Sequence, residues 1–136
     1  ISPDGKWVAY QSDISNQWEV YIQPFPRGEG RLQVSKGGGE HPMWNPQGGE
    51  LFYVSGNDLV AVDIAAVPTL RAGAPHRLFS GDTVGTRLLT AGKIERFFGP
   101  APDGRRFVVV KGNGTGKNDV ILAEGALTRV PPEGRN

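Results

Sequence analysis

The run Ser2-Pro3-Asp4-Gly5, followed directly by Lys6 and the apolar Trp7-Val8-Ala9-Tyr10, returns twice along 136 residues. It reappears as Asn45-Pro46-Gln47-Gly48 before Leu51-Phe52-Tyr53-Val54, and as Ala101-Pro102-Asp103-Gly104 before Phe107-Val108-Val109-Val110. Proline presets φ at about −65°, which suits the first central position of a type I turn. Aspartate hydrogen-bonds the backbone just ahead of it, and glycine takes a left-handed conformation without steric cost. A type I turn followed by a left-handed residue joins antiparallel strands. Each copy therefore predicts a strand, a reversal and a second strand. One Pro-Asp-Gly occurs in many folds; three related copies, each opening an apolar run, point to an all-β chain.

The composition agrees. Glycine and proline number 20 and 11, about twice their usual combined share, which favours turns over helices. The net charge of +1 gives no reason to expect nucleic acid or an acidic membrane surface as partner. Without cysteine there are no disulfides or thiolate metal sites. No apolar run approaches the roughly 18 residues of a membrane span, so no direct membrane insertion is expected. No signal peptide appears; the chain opens inside its own motif and reads as an excised piece.

In chain order, strands are expected at 6–12, 18–23 and 31–34, the last with the polar alternation of an outer position. Pro24 to Gly28 ends the second strand, and Gly37-Gly38-Gly39 reads as a flexible connection. A second unit starts at His41-Pro42-Met43-Trp44 and continues through strands at 51–55 and 59–64, joined by a Gly56-Asn57 hairpin. A loop over 65–75 leads to a short strand near Arg77-Leu78-Phe79. Residues 80–95 carry no clear period, and Leu88-Leu89 suits either a strand or a loop. Arg96-Phe97-Phe98 precedes the third turn, followed by a strand at 107–111, an Asn113-Gly114 hairpin and a last strand at 120–123. The only candidate for a helix is a single turn around Ala126-Leu127.

Pro3, Pro46 and Pro102 are spaced 43 and 56 residues apart, and the longer interval contains the unpatterned stretch. The shorter one matches a four-stranded propeller blade of about 40–45 residues. The apolar runs lack clean alternation, as in strands buried on both faces. The expected fold is thus a β-propeller fragment of about three consecutive, partly incomplete four-stranded antiparallel blades. It forms a single partial domain over 1–136, with blade parts at about 1–38, 40–80 and 96–125, a loop at 80–95 and a tail at 126–136, expected to fray from Val130. An immunoglobulin-like sandwich is the alternative, but it would not require the internal repetition. Three part-blades are too few to close a ring of about four to eight. Completion by further sequence or by a second copy is therefore expected.

Ser2-Pro3-Asp4-Gly5-Lys6 with Trp7-Val8-Ala9-Tyr10 resembles the repeat of the TolB-like, WD40-like (PD40) propellers. Glu19 to Pro26, Gln33-Val34-Ser35, Gly38-Gly39, Pro42-Met43-Trp44 and Gly49 to Tyr53 resemble the propeller attached C-terminally to many bacterial serine/threonine kinases. Asp103 to Phe107 resembles the last blade of that branch, and Leu127 to Pro132 its ending. The resemblance implies a rigid platform for proteins or small ligands, a periplasmic or extracytoplasmic setting, and in some relatives a sensory role beside a kinase or a gating role beside a peptidase. The second copy departs from the pattern, with Asn45 and Gln47 where Ser and Asp are usual, and a looser turn is expected there.

No catalytic residue, cofactor site or metal ligand stands out. Lys111 to Lys117 looks superficially like a phosphate loop, but it lacks the leading glycine and has Asn118 where Ser or Thr is required. Asn113-Gly114-Thr115 matches a glycosylation acceptor and equally a turn. His41 and His76 lie in no close ligand pair, and no G-x-S-x-G elbow is present. Asp4 and Asp103 could ligate calcium, though their turn role accounts for them. The residues singled out are therefore the turn positions Pro3, Asp4, Gly5, Pro46, Gly48, Pro102, Asp103 and Gly104. Trp18, between Gln17 and Glu19, is the candidate partner contact, whereas Trp7 and Trp44 read as core. The expected function is a non-catalytic binding or scaffold module with an unidentified protein or small-ligand partner, the stretch 80–95 being a candidate contact loop. The alternative is the sensory or gating propeller of a larger kinase or peptidase.

Overall fold

A computed structural model describes residues 1–88, 98–112 and 118–124. It contains three antiparallel sheets. The first holds β1 (Trp7–Ser12), β2 (Glu19–Pro24) and β3 (Leu32–Gln33) in that order. The second holds β4 (Glu40–Trp44), β5 (Glu50–Ser55) and β6 (Asp58–Ala65), with β7 (Arg71–Ala72) and β8 (His76–Ser80) both paired to β6. The third holds β9 (Phe98–Pro100), β10 (Arg106–Gly112) and β11 (Asn118–Glu124). The expected Asn113-Gly114 hairpin, the candidate helical turn at Ala126-Leu127 and the tail lie outside the described residues.

Each turn forms as its residues dictate. The glycine N–H donates to the carbonyl three residues back, from Gly5 to Ser2 at 2.9 Å, Gly48 to Asn45 at 2.8 Å and Gly104 to Ala101 at 2.9 Å. The glycine φ values are +72°, +80° and +68°, in the region that an L side chain enters only with strain. The β5–β6 hairpin is equally direct: Gly56 takes φ +61° between Ser55 and Asp58, which pair. Glycine at the first central position with positive φ is the mark of a type II′ connection.

The central sheet explains the unbroken apolar runs. Successive side chains of a strand point to opposite faces, so Leu51 and Tyr53 enter one core and Phe52 and Val54 the other. On β6, Val60, Val62 and Ile64 join the first core, and Leu59 and Ala61 the second. The first core is completed from the first sheet by Val20, Ile22 and Val34, with Trp7 and Ala9 at its margin. The second is completed from the third sheet by Phe98, Phe107, Val109 and Ala123. Phe107 lies between Phe52, 4.8 Å away at 83°, and Phe79, 5.8 Å away at 67°, edge-to-face geometries that aromatic rings favour. A one-residue slip of β5 would exchange its two cores.

In the third sheet β10 alternates, as a strand buried on one face does, whereas in the first sheet Glu19 to Ile22 of β2 are all buried. Val108 is 39% exposed between buried Phe107 and Val109. On the far side of the first sheet Tyr10 stacks on Tyr21 at 5.8 Å, with the Arg31 guanidinium over the Tyr21 ring.

Two expectations are corrected. The triple glycine is held rather than flexible. The N–H groups of Gly37 and Gly38 donate to Glu19 Oε1 at 2.8 and 3.0 Å, and that of Gly39 to the Trp18 carbonyl at 2.8 Å. A Cβ on Gly39 would lie 2.3 Å from Ser35 Oγ. Residues 81–88 are likewise not a free loop. A single helical turn, α1 (Gly81–Val84), is capped by Ser80. The Asn57 side chain accepts from Leu88 N at 2.9 Å and donates to Asp82 Oδ1 at 2.8 Å. Leu88 is itself part of the second core.

Candidate functional site

The three turns gather at one end of the stack. Asp4 Oδ1 accepts from the Ser2 hydroxyl at 2.6 Å and from Lys6 N at 3.1 Å. The Ser2 hydroxyl and the Lys6 amide, in that order, hold the Asp4 carboxyl below the ordinary aspartate value. Asp103 Oδ1 accepts from Arg105 N at 2.9 Å and Arg106 N at 3.2 Å, while its Oδ2 accepts from Arg106 Nε at 2.7 Å. Its carboxyl is lowered first by the Arg105 amide and then by the Arg106 side chain. Both aspartates thus serve their own turns.

The second turn is not looser, which corrects that expectation. Asn45 Oδ1 accepts from Gln47 N at 2.9 Å, the same bond to the amide two residues on that the aspartates make two positions further along in the other copies. Asn45 Nδ2 donates to Glu50 Oε1 at 2.9 Å, and Gln47 Nε2 donates to the Pro102 carbonyl at 2.8 Å. Two amides stand where the other copies carry Ser or Ala and Asp, and they reach across to the third turn. The departure from the repeat is thus the joint between neighbouring units. Pro3, Asp4, Gly48 and Gln47 share a groove of about 200 Å³ between the first two turns. Pro46 belongs to the same second turn.

A larger cleft of about 510 Å³ opens beside β1, walled by Ile1, Ala9, Pro42, Trp44, Phe98 and Pro100. Its walls come from all three sheets; the residues are mostly apolar in type, but the surface they turn to the cleft is mostly polar. The Trp44 indole N–H is the buried side-chain donor without an acceptor among the described residues. In the wall strand β4, His41 takes φ +53° at a register shift between Glu40 and Met43. Its N–H donates to Gln11 Oε1 at 2.7 Å, linking β4 to β1, and its ring meets Phe98 edge-on at 6.5 Å. Neither the positive φ of His41 nor this cleft is marked in the sequence.

Trp18 lies at the opposite end, after the β1–β2 connection, and is 45% exposed. Trp7 and Trp44 are partly buried against the first core, as expected. His76 is exposed on β8, and the described residues contain no cluster of three or more His, Cys, Asp or Glu side chains able to hold a metal ion. Among them, no helix is long and apolar enough to cross a membrane.

Sequence reasoning missed Glu19. Its carboxylate is 3% exposed and accepts from Ser35 Oγ and the Gly37 and Gly38 amides. Ser35 Oγ in turn accepts from Val20 N at 2.8 Å. Burial, and then the Glu19 charge, raise the Tyr53 phenol above its ordinary value. A glycine run after a Ser, some 18 residues past an acid, was the only available signal.

Comparison with known protein-family models finds no match, and none of the curated proteins matches the chain.

Proposed function

We propose that this chain is three successive blades of a TolB-like β-propeller and serves as a rigid, non-catalytic binding or scaffold module. Its main support is the central sheet, buried on both faces between two like sheets, each carrying the same proline turn. Such a stack fixes its connecting loops, and preformed loops lose little conformational freedom when a partner docks. The turn end is cross-braced by Asn45 and Gln47. The opposite end presents Trp18, a residue type enriched among interface hot spots.

Partner capture by the immobilised chain tests this. Capture from extracts of the producing cell should fall on Trp18→Ala with the thermal midpoint unchanged, and persist on Lys36→Ala. Capture no better than an unrelated bait, or equal for both variants, overturns the contact assignment. The resemblance of Glu19 to Pro26 to kinase-attached propellers favours a sensory module of a larger enzyme as second reading. A reading frame without kinase or hydrolase motifs on either side would remove it.

A further inference from the structure

The two joints between neighbouring turns are built differently. Between the second and third turns the joint is shut: Gln47 Nε2 donates to the Pro102 carbonyl at 2.8 Å and Asn45 Nδ2 to the Gly104 carbonyl at 3.4 Å. Between the first and second turns, Ser2 and Asp4 hold the places of Asn45 and Gln47, and neither reaches across. The Ser2 hydroxyl donates to Asp4 Oδ1 at 2.6 Å and accepts from Trp7 N at 3.0 Å. A Cβ built on Gly48, the counterpart of Gly104, meets nothing within 4 Å. The groove of about 200 Å³ occupies this open joint, lined by Asp4, Trp7, Trp44, Gln47, Gly48 and Ile64. It has room for a side chain rather than for one water, whose share of the liquid is roughly 30 Å³.

The groove holds a negative charge without a partner. Ser2 N donates to the Trp7 carbonyl as Ala101 N does to the Arg106 carbonyl, so Trp7 stands where the third unit has Arg106. In that unit Arg106 Nε donates to Asp103 Oδ2 at 2.7 Å. An indole in its place cannot do the same, and Asp4 Oδ2 accepts from no other residue among those described. Lys6 is near enough to help lower the Asp4 carboxyl, but the ion pairs among the described residues are Arg77–Asp58 and Arg106–Asp103, not this one. The Pro46 and Gly48 carbonyls, counterparts of the two that Gln47 and Asn45 reach, receive no donor from the first turn. An ionised carboxylate beside carbonyl acceptors and two indoles suits a flat cation with several N–H donors. A guanidinium donates in pairs to a carboxylate and stacks on aromatic rings, whereas a metal ion would need more oxygen ligands than one carboxylate supplies.

We propose that this groove is a pocket for an arginine side chain of a protein partner, with the guanidinium on Asp4 Oδ2 and the aliphatic stem against Trp7, Trp44 and Ile64. The pocket reproduces, with a guanidinium from outside, the pair that Arg106 and Asp103 make within the third turn. Asp4 and Gln47 are exposed and Trp7 and Trp44 half-buried, so the groove is open to a side chain. Lysine fits less well, because its ammonium is a compact, strongly hydrated charge without a planar fork. The inference rests on the proposed function only in that the arginine is a partner's. It concerns the turn end of the stack, not the end that carries Trp18.

The test titrates the peptide acetyl-Gly-Arg-Gly-amide into the full chain at low salt and follows the backbone amide resonances of Lys6, Trp7, Gly48 and Gly49. These should shift saturably, while that of Tyr53 in the central sheet stays in place. Citrulline for arginine keeps the shape and removes the charge, and should weaken binding at least about tenfold. Lysine for arginine should weaken it at least about threefold. Asp4→Asn should also weaken it at least about tenfold. The asparagine oxygen can still accept from Lys6 N, as Asn45 Oδ1 does from Gln47 N, so the turn is kept. Asp103→Asn and Trp18→Ala should leave peptide binding unchanged. Equal binding of the arginine and citrulline peptides by the unaltered chain overturns the proposal, and so does equal binding by Asp4→Asn. Failed capture from extracts with intact peptide binding removes the Trp18 assignment and leaves this one, and the reverse removes this one alone.

Discussion

A Cβ built on Gly104 would lie 2.0 Å from Asn45 Oδ1, although 59 residues separate the two in sequence. The third turn is therefore seated against the second, and its glycine answers two demands at once: a φ of +68° and the absence of a side chain. Gly5 answers only the first, since nothing lies within 4 Å of a Cβ built there.

Gly5→Ala should cost about 1–2 kcal/mol, the strain of a left-handed L residue. Gly104→Ala should cost more, because Asn45 must also give way. Urea unfolding of both variants measures the difference. Adding Asn45→Ala to Gly104→Ala should recover part of the loss, a coupling that a double-mutant cycle isolates. Equal losses for the two alanine variants would show that the turns do not press on each other.

Phe107→Ala should be among the most damaging changes, costing about 3–5 kcal/mol. The ring is 1% exposed and joins β10 to Phe52 and Phe79 of the central sheet. Val108→Ala, one residue on but on the open face, should cost less than about 1 kcal/mol. Chemical denaturation of the pair checks that the two faces of the third sheet differ as described.

Glu19→Ala should destabilise by about 2–4 kcal/mol, since it strands the buried Ser35 hydroxyl and the Gly37 and Gly38 amides. Hydrogen exchange at Gly37 and Gly38 should accelerate before that at Tyr53 in the central sheet. A variant with unchanged exchange at both glycines would count against a fixed connection between β3 and β4.

Acid should weaken the turn end. Asp4 and Asp103 are held below 3.8, the ordinary aspartate value. The unfolded chain therefore binds more protons over the interval between that value and the lower folded one. Stability rises with pH there: the contribution is present above about pH 3.8 and is lost as pH falls through the folded value. Asp103→Asn keeps an acceptor like that of Asn45 but loses the charge beside Arg106. It should flatten the acid limb of a plot of urea midpoint against pH. The effect is small, because the carboxyl is exposed to solvent, and it should shrink further in high salt.

Much of the fold was legible because it is local. Proline, aspartate and glycine at fixed offsets set the turns, and four apolar residues in a row on β5 announced two buried faces. Trp18 is exposed, but its polar neighbour Glu19 is buried, so neighbour polarity alone did not decide it. The stretch 81–88 was not legible, because Leu88 is anchored by Asn57, a hairpin residue 31 positions away. Glu19 was hidden for the same reason: its partners lie 16 to 19 residues on. The substitutions at Asn45 and Gln47 read as weaknesses in a turn considered alone, and they became links only when the third turn was beside them.

The sequence by itself determined that this chain turns three times through the same backbone geometry into short strands, since φ preferences and side-chain period act within a few residues. The tertiary structure alone decided which faces meet, which polar groups are buried with partners, and that a groove opens between the first two turns. Those depend on distances between segments far apart in the chain, which no local preference encodes.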